Sequence, residues 1–188
     1  NKIDYRSKRV ITMTAHRREN LGEPLENICR AVLRLTEDNP DILVVYAVHF
    51  NPLVRETANR ILGNHPRIIL TDPIDMKDMH NLMNLSYLVM TDSGGLQEEV
   101  PSMGKPVLVL RNVTERPEGI EAGTLRLAGV SEEKIYKEAS LVLNDSSVYE
   151  KMARAKNPFG DGFAAERIVD AILYYFGALK ERPGDYSV

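Results

Sequence analysis

The sequence predicts an α/β fold, a parallel β-sheet with helices on both faces, and three observations lead there. Short runs rich in branched apolar residues recur at 10–14, 42–48, 68–70, 87–91 and 107–110. Each gives way to a polar or glycine-containing loop, and most of these loops lead into a segment with apolar residues three and four apart. The runs are nearly apolar throughout, as strands are when helices cover both faces of their sheet. Ligands bind such sheets at the carboxyl ends of the strands, so the functional residues are sought in the loops that follow them.

Taken in order, the opening NKIDYRSKR (1–9) is polar and linker-like. The first strand runs into Ala15-His16-Arg17-Arg18-Glu19-Asn20, where a histidine and two arginines suit a phosphate. A solvated loop with Glu19 paired to an arginine is the plain alternative. Leu25, Ile28, Cys29, Val32 and Leu33 then mark an amphipathic helix. After the second strand, Asn51 and Pro52 fit the cap and first turn of a helix carrying Val54, Ala58, Ile61 and Leu62. Capping does not account for His49, which is either a buried structural residue or a ligand contact. The third strand leads to a helix with Met76, Met79, His80, Leu82 and Met83, a stripe read as core in preference to a base-binding wall.

The fourth strand delivers Thr91-Asp92-Ser93-Gly94-Gly95. Asp92 and Ser93 can cap the next helix, while the two glycines let a ligand approach backbone N–H groups, because no Cβ stands in the way. A diphosphate fits this turn. Glu98 and Glu99 come about one turn later, placed for one of them to accept hydrogen bonds from a ribose diol; two surface glutamates are the plain reading. Pro101 implies that this helix is short or bent. The loop after the fifth strand carries Arg111, Glu115, Arg116 and Glu118, more charge than a connector needs, and Arg116 is a second candidate for phosphate or sugar. Residues 155–163 read as a crossover loop and 164–178 as a last helix, with Ile168, Val169, Ile172, Leu173 and Phe176 on one face.

Composition narrows the function. At 188 residues and 43% hydrophobic, the chain has material for one domain with a real core. A net charge of −3 with scattered cations argues against a nucleic-acid surface, so any polyanion site is local. Cys29, the only cysteine, reads as a small core residue and excludes a disulfide framework. The four histidines lack zinc-site spacing, and no metal or other cofactor is expected. There is no apolar run of membrane length and no signal-peptide layout, which favours a cytoplasmic protein.

The strings HRRENLGEPLENI, HFNP, TDSGGLQEE, GKPVL, TERPE, AGT and NPFGDG occur in order over nearly the whole chain. Together they resemble the C-terminal half of the non-hydrolysing UDP-N-acetylglucosamine 2-epimerases. The resemblance implies a Rossmann-like domain, one of two facing each other across a cleft in the glycosyltransferase-B arrangement, with the N-terminal catalytic domain absent from this chain. It implies interconversion of UDP-GlcNAc and UDP-ManNAc through 2-acetamidoglucal, the acid and base carboxylates lying in the missing half. It assigns His16 and the Ser93-Gly94-Gly95 turn to the diphosphate, with His16 also catalytic, Glu99 to the ribose, and Arg116 to the phosphate side. Residues 76–83 match the region framing the uracil. Arg17, Arg18 and His49 become regulatory or substrate contacts. The partners implied are UDP, a UDP-N-acetylhexosamine, the N-terminal domain and, for the complete protein, a second copy. This chain alone is expected to be inactive. Two other readings remain: a hydrolysing epimerase and a non-catalytic nucleotide-sugar binding module.

Overall fold

The computed structural model describes residues 4–186, and its first strand, β1 (Arg9–Thr14), is buried along all but its first residue. Of the linker-like start, residues 1–3 lie outside the described residues, and Arg9 already belongs to β1, where its guanidinium pairs with Asp41 and donates to the Leu143 carbonyl at 2.6 Å. Helix α1 (Glu23–Asp38), strand β2 (Ile42–Ala47), helix α2 (Pro52–Leu62), strand β3 (Ile68–Thr71), helix α3 (Met76–Leu85) and strand β4 (Leu88–Thr91) follow. Next come helix α4 (Gly94–Glu99), strand β5 (Val107–Val109), helix α5 (Pro117–Ala122), strand β6 (Leu125–Leu127), and helices α6 (Glu132–Asn144), α7 (Ser146–Ala153) and α8 (Ala164–Tyr175).

The local chemistry explains these boundaries. Asn51 caps α2 by accepting from the Leu53 N–H at 3.0 Å, and Pro52 occupies the first turn, where a missing N–H costs nothing. Asp75 and Ser131 cap α3 and α6 in the same way. The α-helical part of α4 stops at Glu99, and Pro101 sits in a 3₁₀ turn (Val100–Met103), so the helix is short, as that proline implies. Helix α8 ends at Tyr175, short of the expected 178, because Gly177 turns the chain with φ of 73° and the Ala178 N–H closes back on the Leu173 carbonyl at 2.9 Å.

All six strands are parallel, in the order β3-β2-β1-β4-β5-β6. Alternate side chains of each strand enter opposite layers. Ile11, Met13, Val44 and Tyr46 pack with α1, α2 and α6 on one face, around the fully buried Ile28, Cys29, Ala58 and Ala139. Val89, Val107 and Val109 pack with Met83 of α3 and Leu96 of α4 on the other, and Val10 and Val45 meet Leu82 there. Each fully buried Leu or Ile contributes about 1.5–3 kcal/mol by leaving water. Helix α8 is different: no residue of it is buried, and Ile168, Val169, Ile172 and Leu173 are all exposed. Among the described residues no helix is long and apolar enough to cross a membrane.

The chain builds the sheet outward from β1 to β3 and then returns to lay β4 on the other side of β1. Loops leaving β1 and β4 therefore diverge, and a crevice opens between their carboxyl ends.

Candidate functional site

Asp92, the residue after β4, organises this crevice. Its carboxylate is wholly buried, and Oδ2 accepts from the backbone N–H of His16 at 2.8 Å, the backbone N–H of Arg17 at 2.7 Å and Nδ2 of Asn20 at 2.9 Å. Asn20 also donates to the Leu110 carbonyl at 3.1 Å, tying the β1 loop to the end of β5. The expectation that Asp92 caps α4 is corrected here: three donors from the β1 loop converge on it and turn it away from the helix. Ser93 holds the cap position, but its hydroxyl makes no capping bond, and its N–H donates to Thr91 Oγ1 at 3.0 Å.

Ser93, Gly94 and Gly95 bring the start of α4 to the same crevice, where the first N–H groups of a helix have no intrahelical partner. Two guanidinium groups flank this turn: a Cβ added at Gly94 would lie 3.6 Å from Arg17 Nη2 and 3.7 Å from Arg116 Nη2. Arg17 is steadied by Nε donating to the Asp92 carbonyl at 3.3 Å. Arg116 pairs through Nε with Glu98 and donates from Nη1 to the Glu115 carbonyl at 3.0 Å, so Nη2 is the nitrogen turned to Gly94. The Arg116 loop is held in place by a chain of bonds. Gln97, buried in α4, donates to the Ser93 carbonyl at 3.2 Å and accepts from Thr114 Oγ1 at 2.5 Å, and the Arg116 N–H donates to Thr114 Oγ1 at 3.1 Å.

An open cavity of about 250 Å³ continues from here across the ends of β1 and β2. His16, His49 and Ser93 line one part of it and Pro73, Ile74 and Met79 another. His49 is exposed, which removes the buried alternative; its ring stacks on His16 at 5.4 Å, and its Nδ1 accepts from the Asn51 N–H at 3.0 Å. The methionine stripe divides. Met83 is core, Met79 faces both core and cavity, and Met76 is exposed. Glu99 lies at the far side of the turn, its Oε1 3.6 Å from where a Gly95 Cβ would be, and Oε2 meets His80 Nε2 at 2.9 Å.

Glu19 does pair with an arginine, but that partner is Arg111, at 2.7 Å, and not Arg17 or Arg18. Arg111 is buried and also binds Glu115; the bonds to Glu115 and then to Glu19 raise its pKa, and the bond from Arg111 lowers that of Glu115. Arg111 is thus a structural cation, while Arg18 is exposed and outside the converging group. Asp92, Asn20, Gln97, Thr114 and His80 are the participants that sequence reasoning missed. A larger hollow of about 350 Å³, near Arg6, Tyr87 and Lys105, opens at the amino ends of the strands, remote from all these residues.

The sequence profile described as UDP-N-acetylglucosamine 2-epimerase matches residues 1–173. The chain belongs to that family. It is 52% identical over 179 residues to the UDP-N-acetylglucosamine 2-epimerase of Bacillus subtilis, covering 95% of this chain and 47% of that protein. For the enzyme of Escherichia coli K12 the identity is 49%, covering 88% of this chain and 44% of that protein. The chain thus spans about half the length of the curated epimerases it matches. Its backbone superposes on the S. aureus MnaA–UDP co-structure with a TM-score of 0.93 at 51% identity, over all of this chain and 52% of that one. The Neisseria meningitidis UDP-GlcNAc 2-epimerase bound to UDP-GlcNAc gives 0.85 at 41%, over 89% of this chain and 45% of that one. A glycosyl transferase C-terminal domain from Francisella tularensis, at 16% identity and a TM-score of 0.60, shares the fold alone. Within the epimerase family, then, this chain is a C-terminal half with a Rossmann-like sheet of the glycosyltransferase-B class.

Proposed function

We propose that this chain is the UDP-holding half of a non-hydrolysing epimerase that interconverts UDP-GlcNAc and UDP-ManNAc. The observation that carries the reading is the convergence of Arg17, Arg116, His16, Ser93 and the start of α4 on one crevice at the carboxyl ends of β1 and β4. The solved relatives holding UDP and UDP-GlcNAc lend support.

The chemistry asks for such a cluster. A base removes the proton from C2 of the sugar, the C1–C2 double bond of 2-acetamidoglucal forms, and the C1–O bond breaks with its electron pair going to UDP. A proton returned to the other face of C2, with re-addition of the UDP oxygen to C1, gives the epimer. Negative charge grows on the diphosphate at the transition state, where fixed N–H donors and guanidinium groups lower the barrier most effectively. Ser93, Gly94 and Gly95 with Arg17 and Arg116 hold the diphosphate in this reading, and His16 donates to it. Glu99 binds the ribose, which requires it to share or leave His80. Ile74, Pro73 and Met79 offer an apolar wall to the uracil. Arg18 and His49 remain for the sugar or for a regulatory UDP-GlcNAc. The C2 acid and base belong to the N-terminal half, and the exposed face of α8 packs against that half, so this chain by itself binds but does not epimerise.

Calorimetric titration with UDP, repeated on Ser93→Ala and Arg116→Ala, tests the reading. Binding that weakens in both variants is expected; a complete two-domain protein that ignores UDP would sink it.

A further inference from the structure

We propose that Asp92 is a positioning residue for His16, fixing which ring nitrogen faces the ligand; the functional part of this rests on the reading of His16 as a diphosphate contact. The two carboxylate oxygens of Asp92 have separate surroundings. Oδ2 takes all three donors from the β1 loop. Oδ1 is buried and has no hydrogen-bond partner within ordinary geometry, and His16 Nδ1 stands 3.3 Å from it. A buried carboxylate oxygen left without a donor is costly, and a ring proton at Nδ1 is the donor within reach. A lone pair at Nδ1 would instead face the carboxylate and be repelled.

The proton of the neutral ring is therefore held on Nδ1, and Nε2 becomes the nitrogen presented to the cavity that His16 lines, donating to the diphosphate when the ring carries a second proton there. Contacts of this kind are often long without ligand and tighten when it binds. The neighbouring histidine is arranged the other way: His49 Nδ1 accepts a backbone N–H, which leaves the ring proton of the neutral form on Nε2. The stacked pair thus has opposite tautomers, set by two different partners. Every ligand contact of His16 is then made through Nε2, aligned by a carboxylate whose other oxygen fixes the backbone of the same residue.

Asp92→Asn separates the two roles. Its amide oxygen can keep the three β1-loop donors, whereas its amide nitrogen would face His16 Nδ1 as a donor and force the proton to Nε2. Long-range ¹H–¹⁵N correlation spectra of the ¹⁵N-histidine-labelled chain at about pH 9, above the ordinary histidine range, should show His16 as Nδ1–H in the wild type and Nε2–H in Asp92→Asn. In the complete two-domain protein, Asp92→Asn should lower kcat roughly 10²-fold or more, with KM for UDP-GlcNAc changed less than about threefold. The same substitution placed on His16→Asn should cost almost nothing further. An unflipped tautomer, or equal loss of kcat with and without His16, would overturn the proposal in favour of a merely structural Asp92. Failure of the epimerase reading itself would look different, since the wild-type two-domain protein would then not turn over UDP-GlcNAc while the tautomer measurement stayed decisive.

Discussion

Gly94→Ala separates folding from ligand approach. Gly94 does not use the left-handed region, and its new Cβ would stand 3.6 and 3.7 Å from the nearest nitrogens of Arg17 and Arg116, ordinary van der Waals contact. The folded chain therefore tolerates the methyl group. Alanine restricts the unfolded chain more than glycine does, so stability should rise by about 0.4–1 kcal/mol, or roughly 1–4 °C in Tm for a domain of this size. The same methyl group occupies the gap between the two guanidinium groups, where a phosphate oxygen would sit. Losing one charge-assisted hydrogen bond there costs about 1.5–3 kcal/mol, which is roughly a ten- to 150-fold weaker Kd for UDP. Calorimetry and thermal unfolding on the same preparations check both halves. A variant as stable as expected that binds UDP with wild-type affinity would refute the placement of the diphosphate at this turn.

Other substitutions probe separate parts of the argument. At Gly119 a Cβ would come within 2.4 Å of Leu125 Cδ1 and 3.0 Å of Phe159 Cζ, so Gly119→Ala should destabilise by about 1–3 kcal/mol, measured by urea unfolding, with UDP affinity of the folded fraction unchanged. Gln97→Leu leaves Thr114 Oγ1 without its acceptor and frees the Arg116 loop. It should cost about 1–3 kcal/mol and weaken UDP binding less than Arg116→Ala does, as thermal unfolding and calorimetry would report. Burial pushes the Cys29 thiol from its ordinary 9.0 up to about 12, so between those values the unfolded chain loses a proton that the folded chain keeps. Stability should therefore fall as pH rises above about 9, by at most about 1.4 kcal/mol per pH unit from this group, and Cys29→Ala should flatten that slope in denaturant titrations.

The five longer or more apolar strands were legible because double-sided burial leaves an unmistakable apolar run. Strand β6 was not, since Leu125–Leu127 offers three residues with a central Arg126 bound to Glu138 of α6. Helices α6 and α7 went unread although Ile135, Ala139, Val142 and Leu143 keep a helical spacing behind the Ser131 cap, a signal that was present. The loops at the strand ends could be named from sequence, but their internal bonds could not. Asp92 and the β1 loop are 72–76 positions apart, and nothing local marks an aspartate before a helix as facing backward. Glu19 could be foreseen to pair with an arginine, yet choosing Arg111 over its neighbours requires knowing that β5 lies beside β4 and that its end lies within reach.

The bonds from Asp92 to the β1 loop, from Asn20 to the end of β5, and from Gln97 through Thr114 to Arg116 join three loops into one closed circuit. Loops of this length usually fluctuate independently, and each would have to be frozen when a ligand arrives. Here the ordering is completed during folding, so the three loops are held as a single casting. For the diphosphate proposed at this turn, affinity would then depend on stripping water from Arg17 and Arg116, and a change that severs one link should loosen all three loops at once.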